Sequence, residues 1–356
     1  MTERTRADRA TDFGQTTLPY CSFVIDGEQH VGVGIGTQVL DLTSASVEIV
    51  PDHAALFADG RLDALLAAGP DVWHLVRESL LAHTPTDHLH DDVELVLPFT
   101  VADYVDFFAS EHHATNVGKI FRPDGDALTP NWKHLPIGYH GRAGTVVVSG
   151  TSIVRPSGQR RTTDGEITFG PSVKLDIEAE LGYVVGGATS MGERISVDEA
   201  GEHLFGVVLL NDWSARDIQA WEYVPLGPYL GKSFCTSISA WVTPMAALQS
   251  ARVDLPRDEA DPEVLPYLRG TGTGVQGSGG AAFGLDVHLE VRLNGEVVSR
   301  PEYRDMYWSP AQMLAHMTVN GASLRDGDLF GSGTISGWLN SVRHAAGSDP
   351  ESGPLT

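Results

Sequence analysis

Two stretches decide the fold class: Val173-Lys-Leu-Asp-Ile-Glu-Ala-Glu-Leu-Gly-Tyr-Val-Val185 and Leu204-Phe-Gly-Val-Val-Leu-Leu-Asn-Asp212. The first alternates: Leu175, Ile177, Ala179 and Leu181 point one way, and Asp176, Glu178 and Glu180 the other, which is the period of a strand. The second is a nearly continuous apolar run, the pattern of a strand covered on both faces. It ends in Asn211-Asp212, so Asp212 stands at the exit of a buried element. Taken alone, Glu178 and Glu180 read as the solvent side of an edge strand, and Asp212 as the N-cap of a helix beginning near Ser214.

Their neighbours change the weighing. Asp212, Arg216, Gln219 and Tyr223 fall at helical spacing, and Lys232 follows after a Pro/Gly turn. An acid, a guanidinium, an amide, a phenol and an ammonium can hold oxyanions and carboxylates at fixed angles, which paired Glu and Lys on a solvated face would not do. Upstream, Asp103-Tyr-Val-Asp106-Phe-Phe-Ala-Ser-Glu-His-His113 spaces Asp106 and His113 by two helical turns. Together Asp106, Glu178, Glu180 and Asp212 make a candidate all-oxygen site for a hard divalent cation. Zinc is disfavoured without cysteine or paired histidine ligands.

The remaining chain reads as mainly β with some α. Leu18–Ile25, His30–Gly36 and Gln38–Leu42 are expected strands, with a turn at Asp26-Gly27. Helices are expected near Asp52–Ala68 and Asp71–Ala82, and Val93–Pro98 is a strand at the seam of two domains, 1–97 and 98–356. Thr145–Ser149 is a further strand. Leu285, Val287, Leu289, Val291 and Leu293 alternate up to an Asn294-Gly295 hairpin turn, and Pro310–Met317 is a short helix. Residues 120–144 form a long irregular loop, and Gly270–Gly280 a flexible one.

Composition removes several function classes. Lys plus Arg number 24 against 47 Asp plus Glu, a net charge of −23, so no basic face is available for nucleic acid or an anionic membrane. Cys21 and Cys235 lack metal spacing and cannot make a disulfide framework, which favours a reducing, cytoplasmic location. No apolar run is long enough for a membrane span, and the first residues have no signal-peptide pattern. Gly272-Thr-Gly-Val-Gln-Gly277 spells a dinucleotide fingerprint but lacks the required strand before and helix after it. Gly227-Pro-Tyr-Leu-Gly-Lys-Ser233 is one residue short of a phosphate loop.

At the same residues the sequence resembles the fumarylacetoacetase family. The matching stretches are Asp103 to Gly118, Pro130-Asn-Trp-Lys-His-Leu-Pro-Ile-Gly-Tyr-His-Gly-Arg142, Asn211-Asp-Trp-Ser-Ala-Arg-Asp-Ile-Gln-Ala-Trp to Phe234, and Gly333-Thr-Ile-Ser-Gly337. The resemblance implies a small SH3-like N-terminal domain, a C-terminal β-sandwich roll and a homodimer. It implies hydrolysis of a small diketo acid, 4-fumarylacetoacetate, to fumarate and acetoacetate. It further implies Ca²⁺ on Asp106, Glu178, Glu180 and Asp212, and a Mg²⁺-type site on Asp212, Lys232 and Thr236. The general base matches His113. Substrate contacts match Arg122, Tyr139, Gln219, Tyr223 and Thr334, and oxyanion support matches Arg216, Gln219 and Lys232. An acylpyruvate or other β-diketone hydrolase is the alternative within the superfamily, and a weakly catalytic metal-binding remnant the alternative outside it.

Three departures qualify the match. Phe108 stands where the family has a substrate-binding tyrosine, and Cys235 where it has glycine. After Gly337, no residue of Trp338–Thr356 corresponds to the strand glutamate that partners the family's histidine, so truncation or a frame change near Gly337 is expected. That would leave His113 without its partner and the sheet without closing strands.

Overall fold

A computed structural model describes residues 13–271 and 282–337. Five strands, β1 (Tyr20–Ile25), β2 (Glu28–Ile35), β3 (Gln38–Asp41), β4 (Leu89–His90) and β5 (Glu94–Val96), form an antiparallel sheet in the order β4-β3-β2-β1-β5. Asp26 and Gly27 turn β1 into β2 with φ of 51° and 86°, the left-handed region that short polar residues and glycine tolerate. The strand expected through Leu42 stops at Asp41. Asp41 instead caps helix α1 (Leu42–Ile49), its carboxylate accepting from the Ser44 amide and hydroxyl. The long helix expected over Asp52–Ala68 is split into a 3₁₀ turn, Pro51–Phe57, and α2 (Asp63–Ala68). Gly60 interrupts it: φ is +68°, and a Cβ there would lie 2.0 Å from the Gln29 carbonyl oxygen. Helix α3 (Pro70–Ala82) matches the second expected helix.

The large mixed sheet holds β6 (Tyr104–Phe107), β7 (Gly138–His140), β8 (Val146–Val148), β9 (Ala179–Val185), β10 (Leu204–Asp212), β11 (Thr236–Ile238), β12 (Thr243–Pro244) and β13 (Leu329–Gly331). Their order is β7-β6-β13-β9-β10-β11-β8, with β12 on the far end of β10. The β6/β13 and β8/β11 pairs are parallel and the others antiparallel. Alternation assigns the two faces. Tyr104, Val184, Val208, Leu210 and Leu329 pack with Tyr20, Phe57, Leu66 and Trp73 of the N-terminal layer. Val105, Phe107, Leu181, Tyr183 and Phe330 pack with Trp132, Trp308 and helix α6 (Pro310–Thr318) on the other face.

Two sequence patterns are only partly strand. The run Val173–Val185 breaks at Ile177-Glu178, leaving Leu175–Asp176 and β9. The alternating run 285–293 forms strands only at Gly284–Leu285 and Val291–Leu293, the latter closing its hairpin through Asn294-Gly295 at φ of 53° and 86°. The glycine loop and the fingerprint inside it fall largely on 272–281, outside the described residues. Among the described residues, no helix is long and apolar enough to cross a membrane.

Candidate active site

Register gathers the carboxylates at one end of the large sheet. Asp106 of β6 sits opposite Gly331 of β13, and Gly331 opposite Gly182 of β9. Because β9 runs antiparallel to β10 and β13, its first residues lie beside their last ones, so Glu180 joins Asp106 and Asp212. The edge-strand reading of Glu178 and Glu180 therefore fails. β9 is internal, and the two glutamates are 5% and 0% exposed. The single helical face expected for Asp106 and His113 fails too. Asp106 is on a strand, and His113 lies in the first turn of α4 (Glu111–Phe121), whose N-cap is Ser110. Nor does Asp212 begin the helical stripe or cap it. It closes β10, while α5 (Arg216–Glu222) is preceded by Ala215.

One oxygen from each of Asp106, Glu178 and Glu180 lies within 4.8 Å of the other two. Asp106 Oδ1 and Glu180 Oε1 are buried with no hydrogen-bond partner among the described residues, an arrangement that costs free energy unless a proton or cation completes it. A Cβ added at Gly331 would lie 2.9 Å from Glu180 Oε2, 3.0 Å from Asp106 Oδ1 and 3.3 Å from the Tyr104 hydroxyl. The glycine keeps open a space that these oxygens face. Hard, anionic oxygen donors around such a space fit a divalent cation of the Ca²⁺ or Mg²⁺ kind. Burial, then the charge of Asp212, holds Asp106 well above the usual carboxylate range; burial, then Asp106 and Glu178, does the same to Glu180. Glu178 behaves oppositely. Burial works to raise it, but Lys232 and Arg216 outweigh burial and hold it below the usual range.

Asp212 stands beside this trio, with its own partners. Its Oδ2 accepts from Lys232 Nζ at 2.7 Å and from the Tyr139 hydroxyl at 3.0 Å, and its Oδ1 from the Thr236 hydroxyl at 2.7 Å. Lys232 is buried and bridges Asp212 to Glu178 Oε2, also 2.7 Å away. Burial opposes its charge, but Asp212 and Glu178 win and raise its pKa. A charged ammonium has no lone pair, so the Lys232 side chain offers a nearby cation only repulsion, and a ligand from this residue would have to be its main-chain carbonyl.

Arg216 spends Nε on Asp176 at 2.8 Å and Nη1 on Glu178 at 2.6 Å and on Gln219 Oε1 at 3.1 Å. That leaves the Gln219 amide nitrogen to donate elsewhere. His113 Nδ1 is 3.0 Å from Ser336 Oγ, and Phe108 meets the ring edge-on at 5.4 Å between centroids. Burial, reinforced by Arg216 and Lys232 and resisted by Glu178, pushes His113 down to about 4. The imidazole is therefore neutral near pH 7 and able to accept a proton.

Other expected contacts are looser. Thr334 has a buried hydroxyl without a partner among the described residues. Tyr223, the C-cap of α5, is exposed. Arg122 is exposed, and its guanidinium donates to the Asp126 and Ala127 carbonyls of its own loop instead of joining the cluster. Cys235 is buried beside Thr236. The expectation about the tail falls on 338–356, outside the described residues.

Several further residues shape the site, most of them without a sequence signal. Gly331 and Tyr104 matter through strand register, Ser214 donates to Glu178 Oε1 at 2.9 Å, and Asp176 anchors Arg216. Asp176 alone could have been suspected, as the third acid of the alternating strand.

Residues 16–102 match the family model described as fumarylacetoacetase N-terminal, and residues 104–351 that described as fumarylacetoacetate (FAA) hydrolase C-terminal. Fumarylacetoacetase from Bos taurus is 44% identical over 92% of this chain and 82% of its own. The Homo sapiens enzyme is 43% identical over the same shares, and that of Arabidopsis thaliana 41% over 90% and 80%. Among solved structures, a fumarylacetoacetate hydrolase from psychrophilic Exiguobacterium antarcticum shares the fold at a TM-score of 0.54, with 17% identity, covering 92% of this chain and 91% of its own. Maleylpyruvate hydrolase from Sphingobium sp. SYK-6 does so at 0.51, with 15% identity and 90% of each chain.

Proposed function

From the premise that the chain belongs to the fumarylacetoacetase family, we propose that it hydrolyses the carbon–carbon bond of 4-fumarylacetoacetate, giving fumarate and acetoacetate, the last step of tyrosine breakdown. The observation that carries this reading is the 44% identity to a fumarylacetoacetase across 92% of the chain. The buried carboxylate trio, flanked by cationic donors and a neutral imidazole, supplies chemistry that suits it.

In this reading Asp106, Glu178, Glu180 and Asp212 hold Ca²⁺ or Mg²⁺, with Thr236 and the Lys232 carbonyl at the Asp212 side. When bound, the cation supplies Lewis acidity toward the diketone oxygens, so that the electrons of the broken bond are delocalised as an enolate. His113 takes a proton from the water whose oxygen adds to the fumaryl carbonyl. Arg216, Gln219 and Lys232 donate to the tetrahedral oxyanion; losing one such donor typically costs ~10²–10³ in rate. As the tetrahedral centre collapses, the carbon–carbon bond breaks to leave fumarate, its electron pair goes to the acetoacetate enolate, and the proton held by His113 passes to the enolate carbon, giving acetoacetate and the free base. Thr334, Tyr139 and Tyr223 line the substrate, and Arg122 pairs with a substrate carboxylate after leaving the carbonyls it now holds. Phe108 gives the substrate an apolar edge in place of a hydroxyl.

The same reading divides the chain into 1–97 and 98–356, places it in the cytoplasm, and makes it a homodimer. A second copy covers the apolar residues exposed after α5, Leu226 at 95% with Val224 and Tyr229, together with the exposed Val173 of the segment held to that helix. Asp217 ties the two segments together by accepting from the Ser172 hydroxyl and the Val173 amide. Sedimentation at micromolar concentration should give the mass of two chains. For the reaction, kcat/KM for fumarylacetoacetate should exceed that for an acylpyruvate, with equimolar fumarate and acetoacetate formed. A preference for the acylpyruvate would move the chain to the other substrate class.

A further inference from the structure

We propose that Ser336 is a positioning residue for His113, its Oγ accepting the Nδ1–H and thereby fixing the tautomer that leaves Nε2 as the free base. The inference rests on the reading of His113 as the proton acceptor. A neutral imidazole carries one N–H and one lone pair, so whichever nitrogen is tied as a donor leaves the other as the base. Here Nδ1 faces Ser336 Oγ at 3.0 Å. A hydroxyl can accept that proton, and unlike a carboxylate it adds no charge to the imidazole's surroundings.

The pairing is built from both sides. The His113 main chain is fixed by the α4 N-cap, its amide donating to Ser110 Oγ at 3.2 Å. One turn on, Asn116 Nδ2 donates to the Gly337 carbonyl at 3.3 Å, so α4 grips adjacent residues at two consecutive turns. The gripped segment is the run-on of β13. Its Ser332 amide donates to the Leu181 carbonyl at 2.9 Å and its Ile335 amide to that of Ala179 at 3.0 Å, along the strand that bears Glu180. Between them the Gly333 amide donates to Glu180 Oε2 at 3.0 Å. A single stretch, 332–337, therefore contacts the carboxylate trio at one end and the base at the other. Phe108 packs edge-on against the imidazole, 5.4 Å between ring centroids, and limits its freedom to turn.

The test has two parts. In the resting full-length protein, nitrogen-15 NMR of the ring, assigned with His113→Gln, should show Nδ1 protonated and Nε2 bare. Ser336→Ala should then mix the tautomers and lower kcat about 10- to 100-fold with KM little changed, part of the ~10²–10⁴ that a whole general base contributes. Ser336→Thr, which keeps the hydroxyl, should restore both. A bare Nδ1 in the wild type overturns the proposal, as does Ser336→Ala with unchanged kcat. The reading of His113 as base fails separately, through His113→Gln that retains full turnover while the wild-type ring still shows the Nδ1–H.

Discussion

Gly331→Ala should weaken cation binding at the carboxylate trio while leaving the chain folded. The added Cβ would lie 2.9 Å from Glu180 Oε2 and 3.0 Å from Asp106 Oδ1, closer than ordinary contacts, so both side chains must retreat by a few tenths of an ångström. Metal–oxygen distances tolerate only about ±0.2 Å. Overpacking a dense site costs about 1–3 kcal/mol. If that cost falls on the bound state it weakens affinity ~5- to 150-fold. Gly182 gives the control, since it sits directly opposite Gly331 in the sheet. A Cβ there would press on Val208, Leu329 and Leu210 at 2.9–3.1 Å, all apolar neighbours. Gly182→Ala should therefore lower thermal stability and spare the metal. Calorimetric titration of Ca²⁺ and Mg²⁺ into chelator-stripped proteins reads both variants. Wild-type affinity in Gly331→Ala, or equal losses in the two variants, would refute the assignment of the cradle.

Four further outcomes follow, three from the electrostatics and one from the substrate contact at Phe108. Asp106 and Glu180 have raised pKa values in the folded protein, so the metal-free fold binds more protons than the unfolded chain and loses stability as pH rises through those raised values. Metal displaces the protons, so the Tm gain on adding Ca²⁺ should grow between pH 5 and pH 8, and a gain that shrinks would contradict this. With metal saturating, the acid limb of kcat/KM should lie well below the ordinary 6.5, because burial holds His113 down; a limb at 6.5 would mean that burial does not hold the base down. Lys232→Met leaves Glu178 and Asp212 facing each other without the ammonium between them and should cost about 3–5 kcal/mol in denaturant unfolding; a loss under about 1 kcal/mol would mean the bridge is not formed. Phe108→Tyr should lower KM for fumarylacetoacetate severalfold, and an unchanged KM would show that the position does not meet substrate.

Much of the site was legible because its chemistry is concentrated in unusual residue types. Glu178 and Glu180 among apolar neighbours, Asp212 at the end of a buried run, and Arg216 with Gln219 at helical spacing each broke an otherwise ordinary pattern. Periodicity misled where chain direction changes within a few residues. Asp106 and His113 have helical spacing, yet a strand ends and a helix begins between them, and Ser110 is the cap that marks the switch. Asp212 stood in the same position with respect to α5. The break at Ile177-Glu178 was likewise invisible, because a two-residue interruption keeps the alternation intact on both sides. Long-range register left no local trace at all. Gly331 opposes Asp106 across more than two hundred residues of chain, and nothing next to it in sequence signals the space it preserves.

On the proposed reading, buried carboxylates and a cation together carry hydrolysis of a diketone. Its most direct test follows the ultraviolet absorbance of fumarylacetoacetate with the purified chain as isolated, after chelation, and after Ca²⁺ or Mg²⁺ is returned. Turnover should vanish on chelation and return with metal. Turnover that persists in the stripped protein, or none in a folded protein shown to bind the metal, would contradict it.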